Sequence, residues 1–195
     1  MSGFQFVKAT KKQAKARIAI DGPSGSGKTY TSLIAATALA KGGKIAVIDT
    51  ERGSASLYSE KFDFDVLELN PPFSPEIYHG AIKAAENAGY AVIVIDSLSH
   101  AWEGEGGALD MADDATKRQK TQNSYTAWRE VTPIHRAMVD AILQSKCHVV
   151  VTMRSKMEYV QEKNSDGRTV INKVGMAPIQ RSGMEYEFTI VGDMD

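Results

Sequence analysis

Short apolar runs punctuate this chain at wide intervals, and the spacing of apolar residues changes between them. Arg17-Ile18-Ala19-Ile20-Asp21, Lys44-Ile45-Ala46-Val47-Ile48-Asp49, Ala91-Val92-Ile93-Val94-Ile95-Asp96 and His148-Val149-Val150-Val151-Thr152 are too short for helices and apolar on both sides. Such runs suit central parallel strands covered on each face. Asp65 to Asn70 reads as a shorter strand. Thr29 to Lys41, rich in Ala and Leu, reads as a helix stopped by Gly42-Gly43. Ser74-Pro75-Glu76 supplies a cap, a first-turn proline and a first-turn acid for a helix to about Asn87. The polar stretch Glu103 to Ser124 predicts a short helix at 108–118 inside an otherwise mobile segment. Thr132-Pro133 reads as the start of a helix to about Ser145. Glu158 to Val174 alternates around Asn164-Ser165-Asp166-Gly167, a hairpin signal, and Glu185 to Val191 reads as a last strand. Strands alternating with helices predict a parallel α/β sheet with right-handed crossovers. The chain stops four residues after that last strand, which suggests a trimmed end or a neighbour covering the edge.

Composition narrows the class. At 195 residues the expectation is one domain over 17–195, preceded by an arm over 1–16. A net charge of −1 excludes a globally basic nucleic-acid binder but leaves room for a local patch. One such patch is the start, where Lys8, Lys11, Lys12, Lys15 and Arg17 occur without any acid. It reads either as a solvated arm or as a contact for a nucleic-acid backbone. The single Cys147 excludes an internal disulfide and fits a reducing compartment. With no apolar stretch of membrane-spanning length and no secretion signal, the expected location is the cytoplasm, without membrane contact.

The chemistry is concentrated at Gly22-Pro23-Ser24-Gly25-Ser26-Gly27-Lys28-Thr29, which fits the phosphate-binding P-loop at every defined position. It sits between a strand and a helix, as that chemistry requires. The glycines let backbone N–H groups turn inward on an anion, and the helix N-terminus adds its partial positive charge. Lys28 is then the group for the β- and γ-phosphates, and the Thr29 hydroxyl a ligand for Mg²⁺. Asp96, ending an apolar strand, fits a Walker B carboxylate that binds Mg²⁺ opposite Thr29. Glu51 lies just past the strand 44–49. If that strand neighbours the P-loop strand, Glu51 faces the γ-phosphate and can orient a water and accept its proton. Asp49 is close in sequence, but its side chain should point the other way. His79, His135 and His148 show no metal-ligand spacing, and His100 reads as a buried, hydrogen-bonded histidine. Trp102 and Trp128 read as core, and Cys147 has no nucleophile context.

Together the P-loop, Val47-Ile48-Asp49-Thr50-Glu51 and Val92-Ile93-Val94-Ile95-Asp96-Ser97 resemble the ATPase core of the RecA/RadA recombinases. Gly22 to Tyr30, Asp96-Ser97-Leu98-Ser99-His100 and the tail from Ala177-Pro178 to Glu185-Tyr186-Glu187-Phe188 bring the likeness closest to the short phage-encoded RecA-like (Sak-type) ATPases that accompany single-strand annealing proteins. The resemblance covers about residues 17 to 191. It implies a three-layer P-loop NTPase fold, with a mainly parallel sheet, helices on both faces and an antiparallel C-terminal hairpin or edge. It implies ATP held by Gly22, Pro23, Ser24, Gly25, Ser26, Gly27, Lys28, Thr29 and Tyr30, Mg²⁺ on Thr29 and Asp96, and Glu51 as the catalytic acid. It also implies single-stranded DNA on the segments Glu103–Ser124 and Ser155–Gln180. The second segment carries Lys156, Lys163, Arg168 and Lys173 with Tyr159 between them. The family ends the strand matching His148–Thr152 with a glutamine that senses the γ-phosphate, and Arg154 falls there. An arginine at that place can bind the γ-phosphate or point into the DNA-side loop. A ring or filament of like subunits is implied, with Lys173 or Arg181 entering a neighbour's site, and an annealing or single-strand-binding protein as partner. If the gene is a phage's, its place is the bacterial host cytoplasm.

Two other readings stay open. The P-loop also resembles that of guanylate-type nucleotide kinases, which would need an arginine lid and an acceptor pocket. A nucleotide-gated adaptor would bind DNA or a partner without turnover. A partition-type ATPase fits less well, because Pro23 stands where those carry a second lysine.

Overall fold

The computed structural model of the chain describes residue 8, residues 14–119, 123–163 and 169–195, and over 158–163 and 169–174 the backbone alone. Lys11, Lys12, Lys120, Arg168 and the turn read at Asn164-Ser165-Asp166-Gly167 lie outside the described residues, as do the side chains of Tyr159, Lys163 and Lys173.

The strands are β1 (Arg17–Gly22), β2 (Ile45–Asp49), β3 (Asp65–Glu68), β4 (Val92–Asp96), β5 (His148–Lys163), β6 (Thr169–Pro178) and β7 (Ile190–Asp193). The helices are α1 (Lys28–Ala40), α2 (Pro75–Asn87), α3 (His100–Glu103), α4 (Ala108–Arg118) and α5 (Ser124–Leu143). The strand order is β3-β2-β4-β5-β1-β7, all parallel, with β6 antiparallel to the outer part of β5.

Alternation along the strands explains the layers. In β4, Val92 and Val94 face α1, joined by Leu33, Ala36 and Ala40 in one buried cluster. Ile93 and Ile95 face the other way, against Tyr78 and Ile82 of α2 and Met138 and Ile142 of α5. Every residue of β2 and β4 is buried, as doubly covered strands require. Fully burying each large apolar side chain contributes about 1.5–3 kcal/mol. The result is the three-layer α/β P-loop NTPase fold. No described helix is long and apolar enough to cross a membrane.

Several expectations are corrected. Within the stretch read as mobile, the expected helix at 108–118 is α4, which packs through Ala108 and Ala112 against Val131 of α5. Alpha5 starts at Ser124, capped by Asn123, whose side chain accepts from Tyr125 N at 3.0 Å, and Pro133 lies inside it. Glu185 belongs to a 3-10 turn over Met184–Glu187, and the last strand starts at Ile190. That strand pairs parallel with β1, so the antiparallel element is the β5–β6 hairpin alone. Trp102 and Trp128 stack on each other at 5.5 Å in a small satellite cluster rather than the main core.

Arg17 is also not part of a basic arm. It is 6% exposed and donates to the carbonyls of Ala16, Leu143, Ser145 and Cys147, binding β1 to the α5–β5 connection. Burial pulls its guanidinium below the ordinary arginine range.

Candidate active site

The site forms where β1, β4 and β5 end together. In register, Gly22 lies beside Arg154 and Asp49 beside Asp96, so these positions meet at the C-terminal edge of the sheet. Between β1 and α1 the chain curls through Gly25 at φ 85° and Gly27 at φ 92°, left-handed values that disfavour residues with a side chain. No side chain caps α1, so its first N–H groups remain available at the mouth of a cavity of about 280 Å³. Ser24, Gly25, Gly27, Lys28, Thr29, Glu51, Ser54, Tyr58, Asp96 and Arg154 line that cavity.

These residues fit a magnesium-bound nucleoside triphosphate. Ser54 Oγ, in the lining, is buried without a hydrogen-bond partner, at a cost of about 1–3 kcal/mol that a polar ligand relieves. Lys28 Nζ folds back onto the Pro23 carbonyl at 2.6 Å. Burial pulls its ammonium down, against the carboxylates of Asp96 and Glu51. A strongly charged phosphate is a better partner for that ammonium than a carbonyl.

Asp96 is 2% exposed. It accepts from Thr29 Oγ1 at 2.6 Å and from the Thr152 hydroxyl. Burial pushes its carboxyl above the usual range, with the two hydroxyls opposing. A buried carboxylate and a hydroxyl hydrogen-bonded to it are the hard oxygen donors that Mg²⁺ takes. The peptide joining Asp96 to Ser97 is cis.

Glu51 reaches the same cavity by another route than expected. Its strand β2 is not a neighbour of β1, since β4 and β5 lie between them. The turn after β2 carries it there. Asp49 builds that turn, its carboxylate accepting from Glu51 N at 2.6 Å and Ala55 N at 3.0 Å. Asp49 is therefore spent on the backbone and does not share the role of Glu51.

Arg154 lies at the cavity wall and holds Glu51 with two bonds. Nε donates to Oε1 at 2.8 Å and the terminal nitrogen to Oε2. Ser97 Oγ donates to Oε1 at 2.9 Å. Burial pushes the Glu51 carboxyl up, but these donors outweigh it and hold the group below the usual carboxylate range. Glu51 in turn raises the guanidinium of Arg154. Tyr30 sits at the flank in an aromatic cluster with Tyr58 and Phe62, at 5.5 and 5.4 Å, under the Lys61 ammonium.

His100 is half-buried, bonded to Thr50 Oγ1 at 2.8 Å and stacked on Phe73. Burial lowers its pKa, and it props the turn beneath Glu51. Burial pushes the Cys147 thiol up, and its Sγ donates to the Tyr90 carbonyl, so it is no nucleophile.

Ser54, Tyr58, Ser97 and Thr152 join this site without a sequence signal of their own. Hydroxyls have no diagnostic spacing. Only Tyr58, seven residues past Glu51 at the end of a short 3-10 segment, could have been found by placing that segment over the cavity.

A protein-family model described as an AAA domain matches residues 14–195, nearly the whole chain. No curated protein matches it.

Proposed function

We propose that this chain, which belongs to the AAA domain family, is a magnesium-dependent P-loop ATPase of the RecA-like kind. In this reading its kind is that of the Sak-type ATPases, which the quoted motifs resemble and whose setting is phage-type DNA recombination and repair. The observation that carries the reading is one cavity shared by the phosphate cradle, Glu51 and Arg154. The P-loop amides and Lys28 hold the phosphates. Mg²⁺ would be held by Thr29 and Asp96 and would neutralise charge on the phosphate oxygens. Tyr58, beside Tyr30, offers a ring to the base.

Arg154 exchanges Glu51 for the γ-phosphate, which is the stronger anion and suits a planar guanidinium. Glu51 then orients a water and takes its proton as the water oxygen bonds to the γ-phosphorus. The bond to the β–γ bridging oxygen breaks and ADP leaves with that electron pair. Lys28, Arg154 and the amides hold charge that grows during the step. Turnover switches contact with single-stranded DNA, in a homo-oligomer and beside an annealing or single-strand-binding protein.

Release of free phosphate, measured with and without single-stranded DNA, tests this. Lys28→Ala should lose nucleotide binding. Glu51→Gln should bind nucleotide but lose turnover by about 100-fold or more. Phosphate transfer to a nucleoside monophosphate without free phosphate would replace hydrolysis by kinase chemistry. DNA binding gated by nucleotide without any phosphate release would leave an adaptor.

A further inference from the structure

Away from the P-loop, α5 carries Tyr125, Trp128, Arg129, Thr132 and Arg136, spaced by three and four residues. They share one side of the helix over about 16 Å. Tyr125 is 78% exposed, and Arg129 and Arg136 are exposed as well. Trp128 is half-buried, its ring backed by Trp102 and overlain by the Arg181 guanidinium at 5.9 Å. Two hollows, about 360 and 200 Å³, meet at Arg181. Arg129, Arg136 and Arg181 form no ion pair among the described residues. The acid in the hollows is Glu187, while Glu130 turns to Arg118 at 3.5 Å.

We propose that this stripe of α5, closed by Arg181, is a binding surface for single-stranded nucleic acid. Unpaired guanidiniums complement a phosphodiester chain, and the exposed Tyr125 ring at the end of the stripe gives a base a stacking platform. An apolar protein segment would leave the guanidiniums to be desolvated without partners. A duplex keeps its base faces stacked on one another, so the exposed Tyr125 ring favours a single strand. The proposal rests on the nucleic-acid part of the function proposed above, and places the contact on a helix between the two segments that the resemblance indicated.

The surface is wired to the nucleotide site. Gln180 Nε2 donates to the Leu98 carbonyl at 3.1 Å, two residues past Asp96. Gln180 Oε1 accepts from Arg181 N at 2.8 Å and pairs with His135 Nε2 at 3.0 Å. Leu98 N donates to the carbonyl of Thr152, whose hydroxyl holds Asp96. A strand that moves Arg181 therefore pulls on the backbone beside the Mg²⁺ acid.

Fluorescence anisotropy with a labelled oligothymidylate, read over a salt series with the nucleotide present, tests the assignment. Tyr125→Ala/Arg129→Ala/Arg136→Ala should weaken binding by about tenfold or more. Its log–log salt slope should fall by about 1.4, two phosphate contacts at about 0.7 each. Basal phosphate release should stay unchanged. Lys156→Ala, on the hairpin, should weaken binding less. If the triple variant loses its native melting transition, Arg129→Glu alone carries the test, with the same direction expected. A folded variant that binds like the wild type overturns the surface and leaves the ATPase reading standing. Failure of the wild type to bind the oligonucleotide at all overturns both this surface and the nucleic-acid clause. Displacement by polyglutamate as effective as by unlabelled oligothymidylate would reduce the stripe to unspecific charge and also overturn it.

Discussion

Arg154 and Glu51 neutralise each other across the cavity, so each determines how the other behaves. Because its donors hold the Glu51 carboxyl low in the nucleotide-free protein, the base form persists into acid there, and kcat/KM, which reports the free enzyme, should fall only as pH drops through that depressed value. In Arg154→Ala the donors are reduced to Ser97, and burial then dominates. The acid limb of the pH–rate profile should move to higher pH, and turnover should drop by about 100- to 1,000-fold. An unmoved limb would separate the two residues. Arg154→Lys should not restore the profile, because an ammonium cannot make both bonds. Asp96 carries the opposite sign. Its folded pKa is raised by burial, so the ionised form costs stability near neutrality. That cost disappears as pH falls through the raised value toward the ordinary carboxylate range. Asp96→Asn should therefore raise the melting temperature of the nucleotide-free protein at pH 7, by roughly 2–4 °C per kcal/mol, and flatten its dependence on weak acid. Magnesium-dependent turnover should be lost in the same variant. The P-loop and Asp96 were legible as positions because each needs a residue type at a fixed place on a strand end, whereas Glu51 reaches the cavity through a turn and not through the strand adjacency expected of it. Ser97, Thr152 and the Arg154–Glu51 pairing were not legible, since contacts between residues 103 positions apart have no local pattern.

At the level of elements, legibility followed how much apolar surface each one buries. Beta1, β2 and β4 carry unbroken aliphatic runs and were read nearly to the residue, whereas the short, exposed β7 was placed five residues early. Alpha4 was read at its observed bounds, but it buries only Ala108, Ala112 and Ala115 among acids and lysines, so the stretch around it read as mobile. Alpha5 was cut short because Thr132-Pro133 imitates a helix start. What overrides the proline is packing: Ala127 and Val131 are buried ahead of it on the same face as Met138 and Ile142 behind it. Pro133 still removes one helical donor and is exposed. Pro133→Ala should thus stabilise the fold by about 1–3 kcal/mol in denaturant titration. No gain would mean that the freed carbonyl has another partner. Arg17 shows the reverse error. A charge near a chain start reads as solvated, and only the tertiary structure reveals four carbonyls around it.

For the molecule as a whole, the parallel sheet and two-faced core were evident from alternating runs, whereas strand order was not. The crossovers that put β5 between β1 and β4 leave no trace in periodicity. Nucleotide binding should couple to global stability, since the cradle exists only in the fold. At about 100 times the dissociation constant, magnesium nucleotide should add about 2.7 kcal/mol, a rise of roughly 5–11 °C in melting temperature. Lys28→Ala should show no such rise, and an equal rise in that variant would put the ligand elsewhere. Beta5 runs from His148 inside the central sheet to Lys163 in the hairpin, with Arg154 between. Its outer nine residues reach about 30 Å. They make a cantilever rooted at Arg154 and kinked in register at Glu158–Tyr159, so a tug on the guanidinium is delivered along one strand to whatever rests against its far end.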